Sequence, residues 1–289
     1  MAAAAVQTQA QTGPDGLNSR NFDALSRFIY DYSGIKMPRS KQTMLEGRLR
    51  KRVAATFCHD LRDYCAHLFD RDGLAQETVA LIDVVTTNKT EFFREPEHFR
   101  ILADQVIPAL LKDAPRARTP TLRVWSVAAS TGAEPYTLAM VLDAAASQGR
   151  FTASVLGTDI STRVLETALL GIYPEEMAAP VPPAMRARYL RRGRGASAGL
   201  VRVAPELRQM VRYRWLNLMD SAYRLDGEMD VAFCRNVLIY FDKPTQQAVL
   251  QRICAQLRPG GYLFLGHSES LAGFGLPVEP TAATVFRRI

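Results

Sequence analysis

Glu134, Asp159, Asn217 and the pair Arg235-Asn236 are the residues best placed to do chemistry. Three of these positions directly follow or lie within two residues of a short apolar run: Ala153–Gly157 before Asp159, Val211–Leu216 before Asn217, Asp230–Cys234 before Arg235. A carboxylate after the second strand of an α/β unit can accept hydrogen bonds from both hydroxyls of a ribose. Asp159 also has a plainer role open to it, capping the next helix, although Ser161 is available for that. The Asn217 amide both donates and accepts and can read an adenine edge. A charge straight after Val231-Ala232-Phe233 is costly unless the strand opens into a site.

The run Leu122–Val127 ends in small residues, Ala128-Ala129-Ser130-Thr131-Gly132, with Glu134 just beyond. Small side chains let backbone N–H groups approach a ligand, though an ordinary tight strand-to-helix turn would read the same way. The stretch is not G-x-G-x-x-G, and G-x-x-x-x-G-K-[ST] occurs nowhere in the chain. A ribose acceptor and an adenine reader without a phosphate loop point to a nucleoside lacking phosphates. S-adenosylmethionine is the common cofactor of that kind.

These residues need strands to hold them. Strands are expected at Leu122–Val127, Ala153–Gly157, Val211–Leu216, Asp230–Cys234, Tyr262–Leu265 and Thr284–Phe286, with helices between several of them. That alternation predicts an α/β fold, a doubly wound and mostly parallel sheet whose ligands bind beyond the carboxyl ends of the strands. Leu257-Arg258-Pro259-Gly260-Gly261 reads as a turn before the fifth strand. The polar, glycine-flanked segment Arg191–Val203 is too polar for the central sheet and predicts a small β insertion.

Residues 17–87 carry helical spacing only, and residues 1–16 read as a disordered tail. Asn18 or Ser19 can cap a helix bearing Phe22, Leu25, Phe28, Ile29 and Tyr32, stopped by Gly34. A second helix after Ser40 carries Leu45, Leu49 and Val53 on one face. Arg48, Lys51 and Arg52 lie on another. Further periodic runs are Leu61, Tyr64, Cys65, Leu68 and Val79, Leu81, Ile82, Val85.

The 289 residues are 47% hydrophobic and 22% charged, which excludes disorder throughout and allows one large domain or two small ones. No apolar run reaches the roughly 18 residues of a membrane span, and no basic residue precedes Arg20 to mark a secretory or transit leader. The net charge is +7, and Lys36–Arg52 holds seven basic residues against Glu46 alone, so the excess belongs to one stretch. Cys58, Cys65, Cys234 and Cys254 form no C-x-x-C pair and read as free thiols in a reducing cytoplasm. The histidines His59, His67, His98 and His267 show no metal-ligand spacing, so no metal is expected.

Five runs together resemble the chemotaxis protein-glutamate O-methyltransferases, the CheR family. They are Thr86-Thr87-Asn88-Lys89-Thr90-Glu91-Phe92-Phe93-Arg94-Glu95, Trp125–Tyr136, Thr158-Asp159-Ile160, Phe233-Cys234-Arg235-Asn236-Val237-Leu238-Ile239-Tyr240-Phe241-Asp242 and Gly266-His267-Ser268-Glu269. The resemblance runs from about residue 20 to the C-terminus. It implies an N-terminal helical substrate-recognition domain (17–87) and a class I S-adenosylmethionine-dependent methyltransferase domain (88–289). An antiparallel β subdomain, at about 190–213, is inserted in the latter. The implied reaction moves a methyl group from S-adenosylmethionine to glutamate side chains of chemoreceptors, leaving S-adenosylhomocysteine.

By motif match, cofactor contacts fall on Asn88, Thr90, Arg94, Glu134, Asp159, Asn217, Leu218, Arg235 and Asn236, with Arg94 and Tyr240 nearest the reactive methyl. Arg94 has an alternative as an ion-pair partner of Glu91 or Glu95, and Tyr240 as a core aromatic. The family often has two acids before Pro-Tyr, and here the first is Ala133. Arg48, Lys51 and Arg52 become candidate contacts to an acidic helical receptor bundle; a solvated helix face is the alternative. The Arg191–Val203 segment resembles the subdomain of members that dock on a receptor C-terminal peptide.

Glutamate is already an anion at neutral pH, so no general base is required. Two rivals remain. One is a nucleic-acid methyltransferase, but the fourth strand ends in Arg235-Asn236-Val237 rather than N-P-P-[YF], and the basic stretch lacks interleaved aromatics for base stacking. The other is a non-catalytic S-adenosylmethionine sensor.

Overall fold

The computed structural model describes residues 16–112, 119–147, 149 and 151–289. Chain contacts divide it into two compact units, up to Thr86 and Thr87–Ile289. The expected tail falls, apart from Gly16, outside the described residues.

The first unit contains four α-helices among its described residues: α1 Ser19–Ser33, α2 Gln42–Ala55, α3 Leu61–Phe69 and α4 Leu74–Val85. The Asn18 side chain accepts from the Asn21 N–H at 2.8 Å and starts α1; Gly34 ends it in a left-handed turn that most residues resist. Phe22, Leu25 and Ile29 of α1, Leu45 and Leu49 of α2, and the whole expected α3 stripe are buried. Four expected core positions are not, and Val53 of α2 is one of them, half-buried. Phe28 and Tyr32 are half-buried and stack on each other at 5.9 Å, and Val79 is 46% exposed, because Glu77 takes an inward-facing place on α4 instead.

The second unit begins with α5 (Pro96–Ile101) and α6 (Ile107–Lys112), joined through one π-helical stretch, Leu102–Val106. It continues through β1 Thr121–Val127, α7 Ala133–Ala146, β2 Thr152–Asp159, α8 Thr162–Leu170, β3 Ile172–Pro174, α9 Pro183–Tyr189, β4 Leu190–Arg192, β5 Leu200–Val203, α10 Pro205–Met210 and β6 Val211–Trp215. The last third holds β7 Met229–Cys234, α11 Lys243–Gln256, β8 Leu257–Leu265, β9 Val278–Ala282 and β10 Val285–Arg288. Seven strands form one sheet in the order β6-β2-β1-β7-β8-β10-β9. The first five run parallel, while β10 is antiparallel to both its neighbours. All six residues of β7 are buried, as a central strand covered on both faces requires. This is the S-adenosylmethionine-dependent methyltransferase fold.

Strand register positions the site. Val127 pairs with Thr158 on one side and Cys234 on the other, and Cys234 pairs with Leu265. Four parallel strands therefore finish level, and the residues after them share one rim. The order turns back on either side of β1, which is where an open sheet leaves a crevice.

Two sequence expectations change. The small antiparallel sheet has the order β3-β5-β4 and starts at Ile172, well before residue 190. Its first strand, Ile-Tyr-Pro, is too short to show alternation. At the other end Val211–Trp215 pairs with β2, so residues 211–213 belong to the main sheet. The Leu257–Gly261 turn is an irregularity within β8 itself: Met229 pairs with Leu257 but Val231 with Tyr262, so Pro259 and Gly260 (φ 76°) bulge out of the ladder.

Candidate functional site

The turn after β1 is built on strained backbone. Ala128, Ser130 and Gly132 have φ of 55°, 51° and 91°, and two of these are non-glycine residues in the left-handed region. A Cβ on Gly132 would lie 2.6 Å from the Tyr213 hydroxyl and 2.7 Å from Ala168 Cβ, so the glycine is needed for space as well as for angle. Asp159, at the end of β2, fastens this turn. Its Oδ2 accepts from the Ser130 N–H at 2.8 Å and its Oδ1 from the Ser161 N–H at 2.9 Å. Ser161 occupies the N-cap of α8, as expected, but without a side-chain cap bond, and Asp159 accepts from its backbone N–H.

Across the switch point lies a buried charge cluster. The Arg235 side chain, 1% exposed, directs Nη1 to Glu134 Oε2 at 2.9 Å and Nη2 to Glu95 Oε2 at 3.0 Å. Nη2 also donates to the carbonyl of Arg94. The ring centroids of Phe99 and Phe233 lie 5.4 and 5.9 Å from the guanidinium carbon. Glu134 takes a second bond from Ser126 Oγ at 2.7 Å. Burial pushes the Glu134 carboxyl above the usual range, with Arg235 and Ser126 opposing. At Glu95 burial acts the same way but is outweighed by Arg235 and the Asn236 amide, which bring that carboxyl below the usual range.

The other predicted residues surround this frame. Ser130 Oγ donates to the Asn88 carbonyl at 2.9 Å, bringing the first motif to the β1 turn. Thr90 and Arg94 are half-buried, and Arg94 Nη1 reaches the Lys89 carbonyl at 3.3 Å. Glu95, one of its expected ion-pair partners, is taken by Arg235 instead. Residues on either side of Arg94 are also strained, with φ 54° at Phe93 and 56° at Glu95. Asn217 is buried, but its Oδ1 accepts from the Met219 N–H at 3.0 Å, so the acceptor half of the amide serves the loop. Leu218 is buried beside it. Tyr240 is half-buried on a 3-10 turn, Leu238–Tyr240, and is therefore not a core aromatic.

Residues 88–285 match the CheR methyltransferase SAM-binding domain and residues 20–86 the CheR methyltransferase all-alpha domain. The chain belongs to the CheR methyltransferase family. A chemotaxis protein methyltransferase of Klebsiella aerogenes is 42% identical over 256 residues, 89% of this chain and 85% of the relative. One of Escherichia coli K12 is 41% identical over 258 residues, 89% and 86%. Among solved structures, a SAM-dependent methyltransferase from Geobacter sulfurreducens in complex with S-adenosyl-L-homocysteine is 17% identical over 65% of this chain and 54% of that one, with a TM-score of 0.34. S-adenosylmethionine is the cofactor of this CheR domain.

The cluster suits such a cofactor. Both Nη atoms of Arg235 are taken by carboxylates, which leaves only its buried Nε unpartnered, and three carboxylates (Glu134, Glu95 and Asp159) against Arg235 and Arg94 give a donor set compatible with a sulfonium cation.

In the helical unit of this CheR methyltransferase the expected basic stripe divides. Arg52 makes a two-point pair with Glu77 at 2.7 and 3.0 Å, and Tyr64 Oη adds a bond to the same carboxylate at 3.1 Å. Arg48 Nη1 donates to the Val85 carbonyl and, at 3.1 Å, to that of Thr86, where the end of α4 leaves acceptors open. These two side chains hold α4 to α2 and do not form an open face. Arg50 and Lys51 are the exposed cations of this helix.

Sequence reasoning missed Glu95 and gave no role to His98, His267 and Glu269. Glu95 lay inside a quoted motif, one residue after Arg94, which was the available signal. Glu95, His98 and His267 bring ligand-type atoms within 4.8 Å of one another. The Glu95 oxygens, however, already accept from Arg235, Asn236 and the His267 N–H, so a guanidinium supplies that carboxylate's counter-charge. His98 is buried, with Nε2 2.8 Å from Thr284 Oγ1; burial and then Arg235 lower its pKa to about 4.

Proposed function

We propose that this CheR methyltransferase transfers the methyl group of S-adenosylmethionine to glutamate carboxylates on the helical cytoplasmic region of chemoreceptors, forming γ-glutamyl methyl esters in the cytoplasm. One observation carries the reading. The Asn88–Glu95 motif and the Arg235-Asn236 motif, far apart in the chain, are tied together at the strand ends by the Arg235 bonds to the Arg94 carbonyl and Glu95.

When bound, the cofactor supplies an electrophilic methyl on a sulfonium. In this reading Asp159 holds the ribose, Asn217 and Leu218 border the adenine, and Glu134, Arg235, Asn236, Asn88 and Thr90 line the remainder. Arg94 orients the acceptor carboxylate and Tyr240 shapes the wall beside it. The acceptor is an anion and the sulfonium a cation, so charge is consumed during transfer. Strong contacts to the carboxylate would therefore favour the ground state. Alignment and exclusion of water are the available levers, and well-oriented reactants gain roughly 7–11 kcal/mol from the first.

Exposed Arg50 and Lys51 suit an acidic receptor helix. The exposed strands of the small sheet suit docking of a receptor C-terminal peptide. The test is methyl transfer from labelled S-adenosylmethionine to receptor cytoplasmic fragments. Label that alkali releases as methanol, and that disappears when the acceptor glutamates are replaced by alanine, supports the reading. Label on RNA or DNA, or none on receptor, overturns it.

A further inference from the structure

Glu269 lies four residues beyond Leu265, the last residue of β8, and its side chain folds back over Gly266 at the rim of the sheet. The carboxylate is 7% exposed as a residue and accepts four backbone N–H bonds. Oε2 takes Asn236 at 2.9 Å and Gly266 at 2.7 Å; Oε1 takes Val237 at 3.0 Å and Leu238 at 2.8 Å. A carboxylate has about four acceptor positions, so this one is filled from within the protein and is not itself a ligand group.

What it holds is specific. Asn236 has φ 57°, left-handed for a residue with a side chain. Its side-chain Nδ2 donates to Glu95 Oε1 at 3.3 Å, so one acid fixes its backbone and another its amide. Val237 and Leu238 begin the 3-10 turn that carries Tyr240. Gly266 makes room for this arrangement: a Cβ there would lie 2.7 Å from Asn236 Nδ2, 2.9 Å from Glu269 Oε2 and 3.0 Å from Asn236 N.

We propose that Glu269 is a positioning residue: it sets the Asn236–Leu238 backbone, aiming the Asn236 side chain at the cofactor and fixing the start of the turn that bears Tyr240. The inference rests on the reading of Asn236 as a cofactor contact.

The experiment is calorimetry with S-adenosylhomocysteine on the full chain, below the melting temperature of each variant, with circular dichroism confirming the fold. The proteins are wild type, Glu269→Gln, Asn236→Ala, the double variant and Gly266→Ala. In Glu269→Gln an amide donor faces two backbone donors, and Kd is expected to rise about tenfold, equivalent to one lost hydrogen bond. The double variant should bind no more weakly than Asn236→Ala alone, because the two act through one contact. Gly266→Ala should weaken binding similarly, and it carries the test if Glu269→Gln does not fold. A Glu269→Gln protein with a lowered melting temperature but a Kd within twofold of wild type overturns the proposal, as do losses that multiply in the double variant. If Asn236→Ala also leaves Kd unchanged, the cofactor reading of Asn236 falls with it; if Asn236→Ala weakens binding and Glu269→Gln does not, only the positioning role falls.

Discussion

Arg235 Nη1 lies 2.9 Å from Glu134 Oε2, so the residue after β7 is bonded to the first turn of α7 across the point where the sheet order turns back. With Glu95 on its other edge, a single buried guanidinium joins three chain segments. Removing one partner of a buried pair leaves the remaining charge uncompensated, at a cost of about 3–5 kcal/mol. Arg235→Met should fall at the upper end, since two carboxylates are left facing each other. Glu134→Gln should cost less, because Glu95 still partners the arginine. Urea denaturation of both variants checks the order.

His98 should make the protein less stable in mild acid. Burial and Arg235 lower its pKa from 6.5 to about 4, with Glu95 opposing and His267 adding slightly to the lowering. Between those values the unfolded chain binds a proton that the folded chain excludes. Stability from this group is therefore complete above about pH 6.5 and declines as pH falls toward 4, by up to roughly 3 kcal/mol. Stability curves from pH 7.5 to 4.5 for wild type and His98→Gln should diverge, with the variant the flatter. Parallel curves would contradict this.

The division of the basic helix predicts a division of effects. Arg52→Ala strands Glu77 and should destabilise the protein by about 1–3 kcal/mol. Arg50→Glu and Lys51→Glu should leave stability within about 0.5 kcal/mol, as exposed substitutions do. They should instead raise KM for a receptor fragment severalfold at low salt, with the difference fading as salt rises. Melting curves and methyl-transfer kinetics at two ionic strengths separate the two classes.

Gly132→Ala adds a Cβ where φ is 91° and the Tyr213 hydroxyl would be 2.6 Å away. The β1 turn must shift, and Asp159 with it through the Ser130 N–H. Cofactor affinity should drop by tenfold or more while the circular dichroism spectrum keeps its native shape.

The parallel sheet could be read from the sequence because most of its strands are short and apolar, and three of them end at or within two residues of Asp159, Asn217 or Arg235. The register then brings those ends level, so the candidate contacts Glu134, Asp159, Asn217, Arg235 and Asn236, singled out by position, lie along one rim. The π stretch Leu102–Val106 and strand β9 were not, since Val278–Ala282 is largely exposed and carries a proline. The Arg48–Lys51–Arg52 stripe divides for a different reason, with Lys51 alone of the three exposed. Helical spacing shows which face a side chain leaves from, but Arg52 turns to Glu77 and Arg48 to the end of α4, partners supplied by another helix. Glu269 escaped a role because its four partners are backbone groups, which have no residue signature.

The central claim is that the level strand ends form the S-adenosylmethionine cleft, with Asp159 at its middle. Calorimetric titration of S-adenosylmethionine into wild type and Asp159→Ala tests it most directly. Micromolar-range binding by wild type, lost in a variant that remains folded, is the predicted result. Equal binding by both proteins, or none by wild type, would contradict it.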